Sequence, residues 1–225
     1  MSNAKTFWDR EYAEKPFRKS KAPSEFLVSM LGRLQKGKVL DVAMGEGNNA
    51  VYLAQKGFTV RGFDISQTAI QHALTLAKES ATSIEAKCAD LDMFLMGLME
   101  YDSIIMTFFK PLFTRYYSEM IRALKQGGTL LVESYLTQEM KAPIGRDEAY
   151  RNFYFESNEL LKNLSGMRIL FYQEGLVDNR HVVQCFAQKP SDKHAAKYDL
   201  FDMHTKQKSG EKSKHLELAE QLFKK

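Results

Sequence analysis

The stretch VLDVAMGEGNNA, residues 39–50, decides how the chain folds, and it fits two ligand templates that differ in charge. Read from Gly45, GEGNNA matches the G-x-G-x-x-G/A dinucleotide fingerprint, with Gly45, Gly47 and Ala50 at the small positions. Read from Asp41, it is an acid on a strand followed by small residues at alternate positions, Ala43, Gly45 and Gly47. The first template implies a pyrophosphate and the second a cation. A pyrophosphate brought beside Asp41 in a low-dielectric crevice costs Coulomb energy, whereas a zwitterionic sulfonium ligand gains from Asp41 and Glu46 on either side of the loop. The cationic reading is therefore preferred, with a nicotinamide-dinucleotide oxidoreductase kept as an alternative.

Working outward, KVLDVAM reads as a strand, and NNAVYLAQKG as a helix with Ala50, Val51, Leu53 and Ala54 on one face, closed by Gly57. FTVRGFDIS is the next strand, and Ser66 is the N-cap of a helix in which Ala69, Ile70, Ala73, Leu76 and Ala77 recur at helical spacing. SIEAKCADL, YDSIIMTFF and GTLLVESY are further strands, and a helix is expected from Pro111 to Gly127-Gly128. MRILFYQEGLVD and HVVQCFAQK, with only a short DNR link, predict a hairpin. The expected fold is α/β: a Rossmann-like doubly wound sheet of about seven strands in three layers, mostly parallel with a C-terminal antiparallel strand.

Composition limits what such a fold does here. The 225 residues, 44% hydrophobic and 27% charged, are those of a globular chain of one domain with an appendage. A domain over 1–189 is expected, with 1–22 as a lid-like segment and 190–225 as a charged tail. In the tail, Leu216, Ala219, Leu222 and Phe223 share a helical face that is expected to dock on the domain, with association with a partner as the alternative. No apolar run is long enough to span a bilayer and the N-terminus has no signal-peptide core, so a cytoplasmic protein is expected. Cys88 and Cys185 have no metal-ligand spacing, and a dispersed net charge of +4 implies no nucleic acid.

Acids follow at the next strand ends. Asp64, in RGFDIS, is where a carboxylate accepts ribose hydroxyls. Asp90, in CADLDMF, is set to accept the exocyclic amine of an adenine that Ile65 and Leu91 would sandwich; it is equally a turn or cap residue.

These residues carry a resemblance. VLDVAMGEGNNAVYLAQKG, VRGFDIS, ADL, YDSIIMTFF and ALKQGGTLLVESY, in that order, resemble a class I S-adenosylmethionine-dependent methyltransferase, and within that superfamily the tellurite-resistance type and its small-molecule relatives. FWDREYAEKPF resembles the aromatic segment that such proteins lay over the cofactor, which brings in Trp8, Tyr12 and Phe17. The resemblance implies Asp41 near the methionine ammonium, Gly45 and Gly47 against the methionine part, Asp64 on the ribose, Asp90 on the adenine and Thr107 beside the acceptor. Two positions depart from the pattern: Ala43 replaces its first glycine, and Met44 stands where a small residue or cysteine is common. The loop after the fourth strand has Lys110 where relatives often carry histidine.

The reaction implied is displacement at a sulfonium methyl, in which the protein aligns the reacting atoms in a dry pocket. The acceptor expected is a small molecule such as a thiol, a chalcogen oxyanion or another soft nucleophile. No catalytic base is identified; the candidates near the acceptor are Lys110, Tyr135, Arg146 and His181, with Phe108, Phe109 and Tyr150 as pocket residues. The first half of the segment 137–164, with Pro143 and Gly145, reads as a loop long enough to cover a substrate and is expected to carry specificity. A non-catalytic protein that binds S-adenosyl ligands on the same fold stays open.

Overall fold

Val39, Leu40 and Val42 are buried on β1 (Lys38–Val42), and the chain leaves that strand through a turn in which Gly45 and Gly47 take φ of +53° and +78°. The turn delivers the chain into α3 (Asn48–Gln55), which lies behind α1 (Asn3–Glu14) and α2 (Glu25–Met30) in chain order. A computed structural model describes residues 3–14, 22–141 and 153–191. All the elements belong to the unit Met1–Pro190, and the tail helix expected around Leu216 to Phe223 lies outside the described residues.

The remaining elements are β2 (Thr59–Asp64), α4 (Gln67–Glu79), β3 (Glu85–Cys88), β4 (Tyr101–Thr107), α5 (Arg115–Ala123), β5 (Leu124–Tyr135), α6 (Glu159–Asn163), β6 (Arg168–Val177) and β7 (Arg180–Gln188). They form a seven-stranded sheet of order β3-β2-β1-β4-β5-β7-β6. β3, β2, β1, β4 and β5 are parallel, and β7 runs antiparallel between β5 and β6. β1 has β2 on one side and β4 on the other, so strand order reverses there and a crevice opens at the carboxyl ends of β1 and β4.

Neighbouring residues of a strand face opposite sides, which gives two cores. Leu40, Val42, Ile104, Met106, Leu130 and Val132 fill one; Val39, Ile105, Leu131 and Phe186 fill the other with the apolar faces of α3 and α4. Burying each such side chain contributes about 1.5–3 kcal/mol. Ser66 caps α4 by accepting from the Ala69 N–H at 3.2 Å, and all the apolar positions predicted on that helix are buried.

Two local expectations change. The helix expected from Pro111 to the glycine pair is α5, only Arg115–Ala123, and the residues from Leu124 are extended. Leu124 pairs with Tyr101, and Gly127, at φ +75°, donates its N–H to the Lys189 carbonyl at 3.1 Å, so sheet pairing at both edges ends the helix early. The β6–β7 link is also tighter than DNR: Asp178 and Asn179 both take positive φ, as a two-residue hairpin turn requires.

Candidate active site

The turn after β1 is locked from beneath by close packing. A Cβ on Gly62, the β2 partner of Asp41, would lie 2.5 Å from the Met44 sulfur, and one on Gly47 would lie 2.7 Å from Cβ of Ala73. Met44 therefore occupies space that Gly62 leaves, which accounts for a large residue within the glycine motif. Ala43 takes φ +54°, a conformation that costs a side-chain-bearing residue about 1–2 kcal/mol.

Asp64 ends β2 almost fully buried, and its carboxylate accepts from the N–H groups of Gly45 and Ser66, each at 2.9 Å. Burial lifts its pKa, and those two donors oppose the lift. Asp41 is buried with neither carboxylate oxygen hydrogen-bonded, and burial together with the charge of Asp64 raises its pKa well above the ordinary carboxylate range. An orphaned carboxylate of this sort is a place for a positive charge.

Over the turn lies α1. The Tyr12 hydroxyl stands against Gly45, 2.9 Å from where a Cβ would be. Asp9 accepts from the Ser66 hydroxyl at 2.8 Å and from the Thr68 N–H at 3.4 Å, and it pairs with Lys5 at 2.7 Å. Burial raises the Asp9 pKa, but hydrogen bonds from Lys5 and Ser66 outweigh it and hold the carboxyl below its ordinary value.

Between α1 and the strand ends is a cavity of about 320 Å³. Trp8, Tyr12, Ala43, Asp64 and Ile65 line one part of it, and Ala89, Asp90, Leu91 and Asp92 continue that wall past β3. Phe108, Phe109, Leu112, Phe113 and Tyr116 form an aromatic wall after β4, which Phe153 and Lys110 complete. Phe108 takes φ +53°, a strained conformation for an aromatic residue, with its ring 4.9 Å from that of Tyr135. Asp90 lines the cavity, and its Oδ1 accepts the Asp92 N–H at 3.1 Å in a turn, the second of the two roles considered for it.

Several residues singled out in the sequence stand off the cavity wall. Asp41, Gly45, Glu46, Gly47 and Thr107 do not line it. Glu46 turns to α4, where Oε1 lies 3.0 Å from Nδ1 of His72. The Thr107 hydroxyl accepts from Asn49 at 2.8 Å; Asn49 accepts the Ser24 N–H at 2.9 Å; and the Ser24 hydroxyl donates to Glu133, which also accepts from Gln184. That chain ties the starts of α2 and α3 to the ends of β4 and β5.

Among the acceptor candidates, Lys110 lines the cavity, but its ammonium donates to Glu159 at 2.7 Å and to the Tyr154 carbonyl at 2.9 Å. Tyr135 and His181 are off the wall: the Tyr135 hydroxyl accepts from Arg180, and the backbone N–H of His181 donates to the Glu139 carboxylate. Arg146, Tyr150 and Phe17 lie outside the described residues. Phe108 and Phe109, expected in the pocket, line the cavity; sequence reasoning missed Leu112, Phe113, Tyr116 and Phe153, and the aromatic density of FFKPLFTRYY was the signal available for most of them. Among the described residues, no group of His, Cys, Asp or Glu could hold a metal ion, and no helix is long and apolar enough to cross a membrane.

Residues 39–128 match the profile of a family described as a methyltransferase domain. That match covers less than half of the chain, and together with the doubly wound sheet it likens the chain to methyltransferase domains. Among its relatives is a chain of Geobacillus sp. (strain WCH70) assigned by name to the methyltransferases, 26% identical over 163 residues, 68% of this chain and 62% of that one. This chain thus spans less than two thirds of that relative. A structure described under the conversion of a disulfide bond into a thioacetal group during echinomycin biosynthesis superposes with a TM-score of 0.67 at 21% identity, covering 90% of this chain and 99% of that one. TehB from Haemophilus influenzae gives 0.61 at 18% identity, over 81% of this chain and 67% of that one. At those identities the likeness is one of fold.

Proposed function

We propose that the chain transfers a methyl group from S-adenosylmethionine to a small-molecule acceptor, in a site at the carboxyl ends of β1, β2 and β4. The observation that carries this reading is the buried acid pair at the glycine turn, with both Asp41 oxygens orphaned and Asp64 bound to the turn itself. A pyrophosphate would meet those acids, and the Gly45 N–H it would need is already donated to Asp64. A sulfonium ligand with its ammonium group meets complementary charge.

When bound, the ligand supplies an activated methyl group with a neutral leaving group. The chain's own part is then to bind, orient and exclude water. Asp64 and Asp90 would hold the ribose and the adenine edge, with Ile65 and Leu91 against the ring. Asp41, at the end of β1, would ionise when the ligand's positive charge comes near. Trp8 and Tyr12 of α1 would cover the ligand, and a dry cavity strengthens every polar contact inside it. Thiols and chalcogen oxyanions are both soft acceptors open to such an enzyme.

Calorimetric titration with S-adenosylmethionine and S-adenosylhomocysteine, beside NADH and NADPH, tests the reading. Micromolar binding of the adenosyl ligands alone is expected. Binding of the nicotinamides alone would overturn it.

A further inference from the structure

The cavity has two unlike walls. One carries Asp64 and Asp90. The other is aromatic, and at its mouth Leu112 and Phe113 are 61% and 57% exposed although they line a concave site. Exposed apolar side chains around a cleft mark where an apolar ligand enters.

Charge narrows the ligand further. Lys110 is the one cation among the described residues of the wall, and its ammonium is taken by Glu159 and the Tyr154 carbonyl. Asp92, at the rim, is paired with Arg115 at 2.6 Å. Among the described residues the wall therefore offers an anionic acceptor no free cation, while a cationic product meets the negative faces of the aromatic rings. Tyr12, the phenol nearest the turn, is held protonated by burial and by the charges of Asp64 and Glu46, so it does not take up a proton.

We propose that the aromatic wall formed by Phe108, Phe109, Phe113 and Phe153 is an acceptor subsite for an uncharged, flat aromatic nucleophile with no proton to lose, such as a pyridine-type nitrogen or an aryl thioether. This rests on the methyl-transfer reading above. In the step, the lone pair of the acceptor nitrogen or sulfur forms the new bond to the methyl carbon as the carbon–sulfur bond of the donor breaks. The bonding pair goes to the donor sulfur, which becomes a neutral thioether. The positive charge passes to the methylated acceptor. No proton is released and no base is required, which suits a cavity that stabilises a cation on both sides of the reaction. The proposal narrows the soft acceptors to neutral ones and sets the chalcogen oxyanions aside.

The test uses the full chain with quinoline and methyl phenyl sulfide as neutral aromatic probes, and selenite and 2-mercaptoethanol as anionic and aliphatic controls. Saturation-transfer NMR, with and without S-adenosylhomocysteine, reads binding independently of turnover. Mass spectrometry reads N-methylquinolinium or dimethylphenylsulfonium against S-adenosylhomocysteine formed. Expected are binding of the aromatic probes, equimolar products, and kcat/KM at least tenfold above the controls. Phe113→Ala, at an exposed position, is expected to raise the KM for quinoline about tenfold with the affinity for S-adenosylmethionine unchanged. If S-adenosylmethionine binds but selenite or 2-mercaptoethanol is the better acceptor, or neither aromatic probe binds, or Phe113→Ala weakens the donor instead, the acceptor class is wrong and the methyl-transfer reading stands. If S-adenosylmethionine does not bind, both fall.

Discussion

The Gly45 N–H donates to the Asp64 carboxylate across 2.9 Å, and this bond fastens the turn after β1 to the end of β2. One carboxylate thus shapes the glycine turn and faces the cavity. Replacing Asp64 by Ala leaves the N–H groups of Gly45 and Ser66 without their acceptor, each at a cost of about 1–3 kcal/mol where water does not reach. The expected outcome is a loss of stability in denaturant titration together with at least a tenfold loss of affinity for S-adenosylmethionine by calorimetry. Unchanged affinity would remove Asp64 from the site.

Asp41 answers to pH. Its folded-state pKa is raised by burial and by Asp64, so the folded chain holds a proton that the unfolded chain releases near the ordinary aspartate value of about 3.9. Its contribution to stability is full below that value and is lost as pH rises through the raised one. Asp41→Asn should flatten this decline in thermal melts of the ligand-free chain. A cationic ligand favours the ionised form, so binding to the wild type should release a proton, seen as a buffer-dependent calorimetric enthalpy. The variant should lose that dependence and bind less tightly.

Ala43 at φ +54° carries a strain of about 1–2 kcal/mol that glycine would relieve. Glycine returns part of this, about 0.5–1 kcal/mol, through the greater freedom of the unfolded chain. Ala43→Gly should therefore stabilise the fold by about 0.5–1 kcal/mol, a rise in melting temperature of about 1–4 °C for a chain of this size. A lower melting temperature would mean that the Ala43 methyl group contributes more by packing than its backbone costs.

Asp9 fixes α1 to the start of α4 through Ser66 and Thr68. With its pKa held down, this attachment persists above the ordinary carboxylate range and is lost as pH falls through the lowered value. Trp8, the only tryptophan, lines the cavity on the same helix and reports on it by fluorescence. Asp9→Ala should shift Trp8 emission toward that of exposed indole at neutral pH and speed ligand dissociation, and the wild type should show the same emission shift only in acid. Emission unchanged by the substitution would show that α1 is held by other contacts.

Much of this architecture was legible along the chain because its signals are local. The alternation of apolar strands with helices at 3.6-residue spacing, the Ser66 cap and the glycine turn each depend on residues close in sequence. The early end of α5 was not legible, because what stops it is pairing of Leu124 with Tyr101 and of Gly127 with Lys189, partners far along the chain. The acids at the strand ends could be named from the sequence, but not that Asp41 lies off the cavity wall or that Glu46 turns to His72.

By itself the sequence determined that a mostly parallel sheet forms and that acids stand at its strand ends beside a glycine turn, because the alternation of strands and helices and the position of a residue at a strand end follow from periodicity. Only the tertiary structure decided which side chains share the cavity. It took Lys110 out of play with Glu159, brought Phe153 against Trp8 with ring centroids 6.2 Å apart, and laid Tyr12 over Gly45. Those contacts join segments remote in sequence, and their geometry is set by how the layers pack, a property of the whole fold that no local pattern encodes.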